Sequence, residues 1–367
     1  MSNNPDWTTK LQRILDQHNH RHARLPKDVS YRTREARAES LRLSLNLLRY
    51  LGFEPDPNNL GGTHVENLIW YWTCDPRVAE RCNTVGVPMR DEPVSPAYLQ
   101  FLASTLRTFS IWIGKPGMVL PLNRYLPDPS RYQRSAIATQ DKSWTAKGLD
   151  IPRLLELVYL QDIYVGTQLE LIFALGLRRK EAIMLRPHLQ VIPASLVPGY
   201  DLTADHYLMV VELRDGTKGG RLRFVPLDSD VRRLAIEHAQ RLAPHTNDHM
   251  GRPGHTLKQS LRRFDYVMEK VGVTQAELGI TAHGGRHQFA NDMYIELTGV
   301  HSPVRGGVPS DLLLHYDACM KIVQQLGHGR LQIASAYLGP ILNSLRHARP
   351  APGNSEVQPA TLAGDHE

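Results

Sequence analysis

The sequence contains little cysteine and no pattern typical of a secreted or membrane protein. Only Cys74, Cys82 and Cys319 occur among 367 residues, an odd number at irregular spacing. This predicts free thiols in a reducing compartment, because disulfide frameworks and zinc cages have paired, regular spacings. No apolar run approaches the length of a membrane helix, and the first residues lack the basic-then-apolar pattern of a signal peptide. We therefore expect a cytoplasmic protein.

The chain also lacks the motifs of common cofactor sites. No Gly-x-x-x-x-Gly-Lys-Ser/Thr loop is present to bind nucleotide phosphates. A metal site at His283, His287 and His328 is an open interpretation, since the first two are four residues apart. No Glu completes a His-Glu-x-x-His motif, however. We expect neither a metal nor another cofactor.

The basic excess of the chain is concentrated near its N-terminus. The net charge is +6 and the pI about 9.2. Residues 10–49 contain ten Lys or Arg against four acidic residues, an excess equal to that of the whole chain. A local basic surface suits a phosphate backbone, although an arginine-rich solvated helix has the same composition. Four of these arginines are predicted on one helix, mostly away from its apolar stripe: Arg32, Arg34, Arg37 and Arg42.

The length and the 41% hydrophobic content predict a globular chain of two domains. Residues 1–120 have the pattern of about four helices, with Ser30 as a helix N-cap. Residues 121–149 are rich in Pro, Ser and Arg and predict a linker in which Arg131 and Arg134 could follow a DNA backbone. Residues 150–347 predict a second, mainly helical domain, and residues 348–367 a disordered tail.

One hairpin interrupts the helical pattern of the second domain. Residues 206–213 and 221–227 are rich in strand-forming side chains, and Asp215-Gly216 between them is a turn signal. Lys218 lies near the tip, beside glycines that would let the tip move. The expected fold class is therefore mainly α with a small antiparallel β-sheet.

The strongest signal is a group of short motifs in residues 281–339. They are His283-Gly-Gly-Arg286-His287, Leu326-Gly-His328 and Tyr337-Leu-Gly339. His283 and Arg286 are three residues apart, which places them on one face if a helix begins there. Arginine keeps its charge and matches phosphate oxygens, and a tyrosine can attack phosphorus once its proton is removed. These motifs together indicate a site that binds and attacks a phosphodiester.

These motifs resemble the signature of the tyrosine recombinase (phage integrase) family, His-x-x-Arg-His, Leu-Gly-His and Tyr. Leu175-Gly-Leu-Arg178-Arg-Lys-Glu181 is similar to the first box of that family. The resemblance implies six catalytic residues: Arg178, Lys218, His283, Arg286, His328 and Tyr337. Glu181 and His287 take supporting places, Lys218 is the general acid, and Tyr337 joins covalently to a 3′ phosphate.

The resemblance also implies the biological context. It predicts a two-domain C-clamp on duplex DNA, a homotetramer in the synaptic complex with a monomer or dimer off DNA, and an accessory DNA-bending or directionality factor. The function implied is a site-specific recombinase of a bacterial mobile element, associated with the nucleoid. Two alternatives stay open: a type IB topoisomerase-like nicking-closing enzyme, and a catalytically silent DNA-binding accessory protein.

Two features depart from the family pattern. Gly284 and Gly285 precede Arg286, where a bulky apolar residue is frequent at the second position. Residues 298–320 form a longer stretch than in compact members, with a loop expected over residues 301–311. Neither departure removes a catalytic residue.

Overall fold

The computed structural model describes residues 6–23, 25–54, 56–200, 206–217 and 219–340. The chain divides into two compact units, Met1–Ser135 and Ala136–Glu367. We call them the N-terminal unit and the C-terminal unit. Lys218 and the predicted tail at residues 348–367 lie outside the described residues.

Five α-helices make up the described part of the N-terminal unit. They are α1 (Trp7–His18), α2 (Tyr31–Tyr50), α3 (Gly62–Trp72), α4 (Ala79–Val85) and α5 (Pro96–Trp112). The Ser30 hydroxyl accepts from the Thr33 N–H and caps α2, as the sequence predicts. Its predicted stripe of Leu41, Leu45 and Leu48 is buried in the core. The short helix α4 is an addition to the four expected helices.

The predicted linker contributes to both cores. Leu122, Tyr125 and Leu126 are buried in the core of the N-terminal unit. Trp144 is fully buried in the C-terminal unit, and its indole N–H donates to the Thr281 carbonyl at 3.0 Å. Ordered structure of the two units therefore extends into residues 121–149.

Nine helices surround the core in the described part of the C-terminal unit. They are α6 (Ile151–Gln161), α7 (Ile163–Leu175), α8 (Arg179–Met184), α9 (Pro187–Gln190), α10 (Asp230–Leu242), α11 (Leu257–Lys270), α12 (Ala282–Thr298), α13 (Leu312–Gln325) and α14 (Ser335–Leu338). Helix α7 is buried on nearly all sides, packs against α6, α10 and α12, and ends at Gly176. A second cluster of apolar side chains joins α12, α13 and α14.

The sheet has three antiparallel strands in the order β1-β2-β3. They are β1 (Val191–Pro193), β2 (Met209–Leu213) and β3 (Arg223–Pro226). Strands β2 and β3 are the predicted hairpin, with Val211 opposite Val225. The sequence did not indicate β1, because three residues are too few for a periodic pattern. Arg223 and Val225 point inward, and the alternate residues Phe224 and Pro226 are partly exposed.

The expected fold class, mainly α with a small antiparallel sheet, is confirmed. The clamp arrangement of the two domains stays a prediction. Among the described residues, no helix is long and apolar enough to cross a membrane.

Candidate active site

Arg286 is the centre of the site. It lies in the second turn of α12 and is completely buried. Its Nη1 and Nη2 donate to the carbonyls of Gly176, at the end of α7, and Leu326, at the end of α13. A guanidinium held by two backbone carbonyls cannot turn away, so its remaining donors have a defined direction.

The hydroxyl of Tyr337 is hydrogen-bonded to this guanidinium. Tyr337 Oη accepts from Arg286 Nε at 3.2 Å and lies 3.3 Å from His328 Nε2. The residue is only 6% exposed. The ring of His287 is also close, with its centroid 4.8 Å from that of Tyr337. Residues of all three motifs in residues 281–339 thus meet at a single hydroxyl group.

A buried carboxylate supports the other side of the site. Glu181 is fully buried in α8 and accepts from the backbone N–H and Nη1 of Arg178, at 2.7 and 2.6 Å. Arg223 on β3 donates to both carboxylate oxygens, at 2.9 and 2.8 Å. Burial alone would raise the pKa of Glu181, but the two arginines lower it to about 2. The carboxylate therefore holds two guanidinium groups at neutral pH.

The histidines of the site are held neutral. Burial, with the charges of Arg286 and Arg178, lowers the pKa of His328 to about 4. Burial and the neighbouring His283 and Lys142 lower the pKa of His287 to about 4. Burial also lowers the pKa of Arg286, to about 10, which leaves it charged near pH 7. The site thus presents fixed cations beside imidazoles that can accept a proton.

His283 occupies the rim of this group. The residue is exposed, and its ring centroid lies 6.3 Å from that of Tyr337 and 5.3 Å from that of His287. Burial of part of the ring and the nearby arginines lower its pKa. Beside it, a cavity of about 720 Å³ extends from Arg178 towards Phe264 on α11. His283 is therefore the histidine of the site that is open to a ligand.

Comparison with family models gives one match. Residues 139–292 match the family described as Integrase. The matched range contains Arg178, Glu181, His283 and Arg286, and the structure joins these residues to His328 and Tyr337 beyond it. Residues 139–292 therefore identify the C-terminal unit as a domain of the tyrosine recombinase, or integrase, family.

Solved recombinase structures show a weaker likeness to the whole chain. A lambda integrase dimer bound to a COC′ core site has 12% identity and a TM-score of 0.49, covering 89% of this chain and 94% of that one. The Tn1549 transposon integrase in complex with circular intermediate DNA has 14% identity and a TM-score of 0.46, covering 92% and 97%. A lambda integrase tetramer bound to a Holliday junction has 12% identity and a TM-score of 0.47, covering 92% and 78%. A search of curated protein sequences found no match.

Five of the six predicted catalytic residues of this recombinase fall in the described part of the chain. Arg286, His328 and Tyr337 are in direct contact, and Arg178 and His283 adjoin them. Lys218 lies outside the described residues, so its place in the site stays a prediction. Within those residues, no group of three His, Cys, Asp or Glu side chains is arranged to hold a metal.

The unusual Gly284 has a steric explanation. A Cβ at this position would lie 2.8 Å from both the Lys142 carbonyl oxygen and the Trp144 ring. Real Cβ atoms do not approach other atoms so closely. With a larger residue at position 284, Lys142 and Trp144 could not pack against the start of α12. Glycine at this position thus leaves the room that Lys142 and Trp144 occupy against α12.

The arginines predicted to bind DNA differ in their surroundings. Arg32 and Arg134 are exposed, Arg34 pairs with Asp28, Arg42 donates to Gln12, and Arg131 donates to the Thr73 carbonyl. Arg37 is the exception to the predicted position of these arginines away from the apolar stripe of α2. Arg37 is 9% exposed, donates to the Arg21 carbonyl and lies over the ring of Trp112. Its spacing of four from Leu41 places it on the apolar stripe.

Sequence reasoning missed Arg223 and Asn291. In a strand, Arg223 and Val225 lie on the same face. This alternation could have indicated that Arg223 points inward and pairs with a buried carboxylate. Arg223 also explains the glycine of Leu-Gly-His, because a Cβ at Gly327 would lie 2.8 Å from its Cδ. No sequence signal identified Asn291, whose side chain reaches the backbone of Tyr337.

Proposed function

We propose that this tyrosine recombinase cuts and rejoins duplex DNA at specific sites through a covalent bond between Tyr337 and a 3′ phosphate. The observation that carries the proposal is the contact of the Tyr337 hydroxyl with Arg286 Nε and His328 Nε2, at 3.2 and 3.3 Å. A nucleophile, a fixed cation and a neutral imidazole within hydrogen-bond reach are the parts that phosphoryl transfer requires.

In the proposed reaction, the oxygen of Tyr337 forms a bond to phosphorus while the bond to the 5′ oxygen breaks. The products are a 3′-phosphotyrosyl bond and a free 5′ hydroxyl. Arg286 and Arg178 neutralise the non-bridging oxygens, where negative charge is greatest in the transition state. The phosphotyrosine remains a phosphodiester, so a 5′ hydroxyl from another strand can reverse the step without ATP.

The geometry favours particular roles for the histidines. His328 Nε2 lies 3.3 Å from the Tyr337 hydroxyl and is neutral, so it is placed to accept the tyrosine proton once the negative charge of a bound phosphate raises its lowered pKa. His283 is exposed beside the cavity and is suited to bind a non-bridging oxygen. His287 is 6% exposed and packs on the ring of Tyr337, which suits a supporting role. Entry of the phosphate exchanges the contact between Tyr337 and Arg286 for one between Arg286 and a phosphate oxygen.

Lys218 remains our candidate for the general acid. It stands between Thr217 and Gly219, in the hairpin that joins β2 to β3. If it protonates the 5′ oxygen, Lys218→Ala should bind DNA normally but cleave slowly. A substrate with sulfur at the 5′ bridging position has a leaving group that needs no proton. Cleavage of that substrate should recover in the variant, and a persistent defect would place the acid elsewhere.

The decisive experiment compares the wild-type protein with Tyr337→Phe on a nicked suicide substrate. The wild-type protein should form a denaturation-resistant protein–DNA adduct, and the variant, which lacks only one hydroxyl, should form none. Tyr294→Phe is the matched control, because Tyr294 is a buried tyrosine of the same unit whose hydroxyl pairs with His315 Nδ1, at 2.6 Å, and not with Arg286 or His328. It should keep the adduct. An adduct from Tyr337→Phe would assign the nucleophile to another residue.

We further propose that four copies assemble on two DNA sites during strand exchange, with an accessory factor setting direction. Sequencing of the DNA junctions formed in cells that express the protein tests for strand exchange, and the mass of the complex on paired DNA sites tests for four copies. Recombinant junctions are expected. Relaxed DNA without recombinant junctions would favour the type IB topoisomerase alternative, and DNA binding without any adduct would favour the silent accessory protein.

A further inference from the structure

The helix that carries Tyr337 is too short to hold its own position. Helix α14 has four residues, Ser335–Leu338. One turn of helix is not stable by itself in water. The position of Tyr337 therefore depends on the groups that bind this backbone. The Ser335 carbonyl accepts from the Ala138 N–H at 2.8 Å, and the Tyr337 carbonyl accepts from Asn291 Nδ2 at 3.4 Å.

Asn291 is a buried link between three parts of the site. It is 0% exposed and lies on α12, five residues after Arg286. Its amide Nδ2 donates to the His287 carbonyl at 2.9 Å as well as to Tyr337. Its Oδ1 accepts from the hydroxyl of Ser302. The donors and the acceptor of this amide are thus all engaged inside the protein, which restricts it to one orientation.

Ser302 belongs to residues 301–307, within the stretch that is longer than in compact family members. We call these residues the buttress segment. Its chain closes on itself, since the Ser302 carbonyl accepts from the N–H groups of Arg305 and Gly307 at 2.9 and 3.1 Å. Ser302 is 0% exposed. The segment is thus a folded turn within the C-terminal unit.

The buttress segment also touches the end of the nucleophile's helix. Gly339 has a φ of +90°, and a Cβ there would lie 2.7 Å from the backbone nitrogen of Val304. Only glycine therefore fits two residues after Tyr337. The contact is independent of Asn291 and places the segment directly against α14.

Arg305 connects the buttress segment to the chain before α6 and to α12. Its Nε donates to Asp141 at 2.8 Å, its Nη2 to Ser143 at 3.0 Å, and its Nη1 to Asp292 on α12 at 3.3 Å. The side chains of Arg305 and Asp141 are 14% and 9% exposed. An ion pair shielded to this degree holds its geometry better than one on an open surface.

From these contacts we infer that Asn291, held by Ser302 of the buttress segment, is a positioning residue that sets the backbone of Tyr337 for attack on the phosphate. The inference rests on the proposed function. It assigns a role to the long stretch of residues 298–320 inside its own protomer. Displacement of a reacting group by about 1 Å can cost about a hundredfold in rate, so loss of this link should slow the covalent step.

The test measures the single-turnover rate of adduct formation for Asn291→Ala and Ser302→Ala. Each rate should fall by about tenfold or more, while DNA affinity and the thermal unfolding midpoint stay close to the wild-type values. Ser260→Ala is the matched control. Ser260 is also a buried serine of the C-terminal unit, and its hydroxyl has no hydrogen-bond partner among the described residues. This control should keep the wild-type rate.

A substrate with bridging sulfur separates positioning from proton transfer. It should not restore the rate of Asn291→Ala, because an easier leaving group does not correct a misplaced nucleophile. Asn291→Leu, nearly the same size and uncharged, fills the buried site but loses the donor to Tyr337. It should therefore show the same defect, and it serves as the second variant if Asn291→Ala unfolds.

Three results would overturn the inference. Rates within twofold of wild type for both Asn291 variants would remove the positioning role. Equal losses of DNA affinity, unfolding midpoint and rate would show a purely structural role. Recovery on the sulfur substrate would assign the defect to proton transfer. If the wild-type protein forms no adduct, the proposed function itself fails, which is a distinguishable outcome.

Discussion

Each of the two units contains a carboxylate that accepts two hydrogen bonds from one arginine side chain. In the N-terminal unit, Arg77 donates to the two oxygens of Asp75 at 2.8 and 2.7 Å. In the C-terminal unit, Arg223 donates to Glu181 at 2.9 and 2.8 Å. The distances are alike, but the surroundings are not. The side chains of Arg77 and Asp75 are 46% and 17% exposed, and those of Arg223 and Glu181 are 4% and 0% exposed.

The difference in exposure between the two ion pairs determines how much free energy their desolvation costs. The exposed pair loses little hydration and contributes little to stability. Burial of the second pair costs several kcal/mol per ion in desolvation, which the mutual hydrogen bonds must offset. The cost is accepted in the C-terminal unit because Glu181 also holds Arg178, beside Arg286 and Tyr337. The buried hydroxyls of Ser44, Thr73 and others in the N-terminal unit instead donate to helix carbonyls.

The largest expected effect comes from removal of the charge of Glu181, with Asp75 as the comparison. Glu181→Gln leaves Arg223 and part of Arg178 without a partner in a buried place, so the free energy of unfolding of the C-terminal unit should fall by about 3–5 kcal/mol. Asp75→Asn removes only an exposed pair, so the loss in the N-terminal unit should be about 1 kcal/mol or less. Denaturant unfolding, followed by hydrogen exchange of peptides from each unit, measures both. Equal losses would mean that burial does not distinguish the pairs.

A smaller loss of stability is expected when the pH is lowered and His287 becomes protonated. The pKa of His287 is lowered to about 4 in the folded protein, from 6.5 in the unfolded chain. Its contribution to stability is therefore complete above about pH 6.5 and is lost as the pH falls towards 4. The loss is at most about 3 kcal/mol for a shift of this size. The window lies above that of Glu181, whose lowered pKa places its loss between about pH 4.5 and 2.

Unfolding free energies between pH 7.5 and 4.5 test this for His287→Gln and His64→Gln. His64 is the comparison in the N-terminal unit, where its Nδ1 accepts from the Gly61 N–H and burial lowers its pKa. Each substitution should flatten the pH dependence of its own unit only. A wild-type slope retained by His287→Gln would show that this imidazole is not held neutral.

The smallest effect is expected from the arginines of α2. Arg32 and Arg42 are exposed, and Arg37 is buried. Replacement of Arg32 and Arg42 by Ala should reduce the slope of DNA affinity against salt concentration by about one unit per lost phosphate contact, for all DNA sequences alike. Arg37→Met should leave that slope unchanged. A lower slope for Arg37→Met than for the exposed pair would reverse our assignment of the DNA-facing side of α2.

Parts of this fold were predictable from local patterns. The helices α2 and α5 follow from capping serines and regular apolar spacing, and the β2–β3 hairpin follows from strand-forming residues around Asp215-Gly216. Strand β1 and helix α4 were not predictable, because they are short and depend on partners distant in sequence. The position of Arg37 was predictable from its spacing, but its charge suggested an exposed face.

The residue types and spacing of the motifs favour a phosphate-binding tyrosine site, and their resemblance to the integrase signature makes this interpretation specific. Which atoms meet is decided only by tertiary structure. Arg286 and Tyr337 are 51 residues apart, and their contact requires α12, α13 and α14 to pack as one cluster. Glu181 with Arg223, and Asn291 with Ser302, likewise join distant segments. Local sequence does not encode such contacts, since they are stabilised by burial that exists only after the chain has folded.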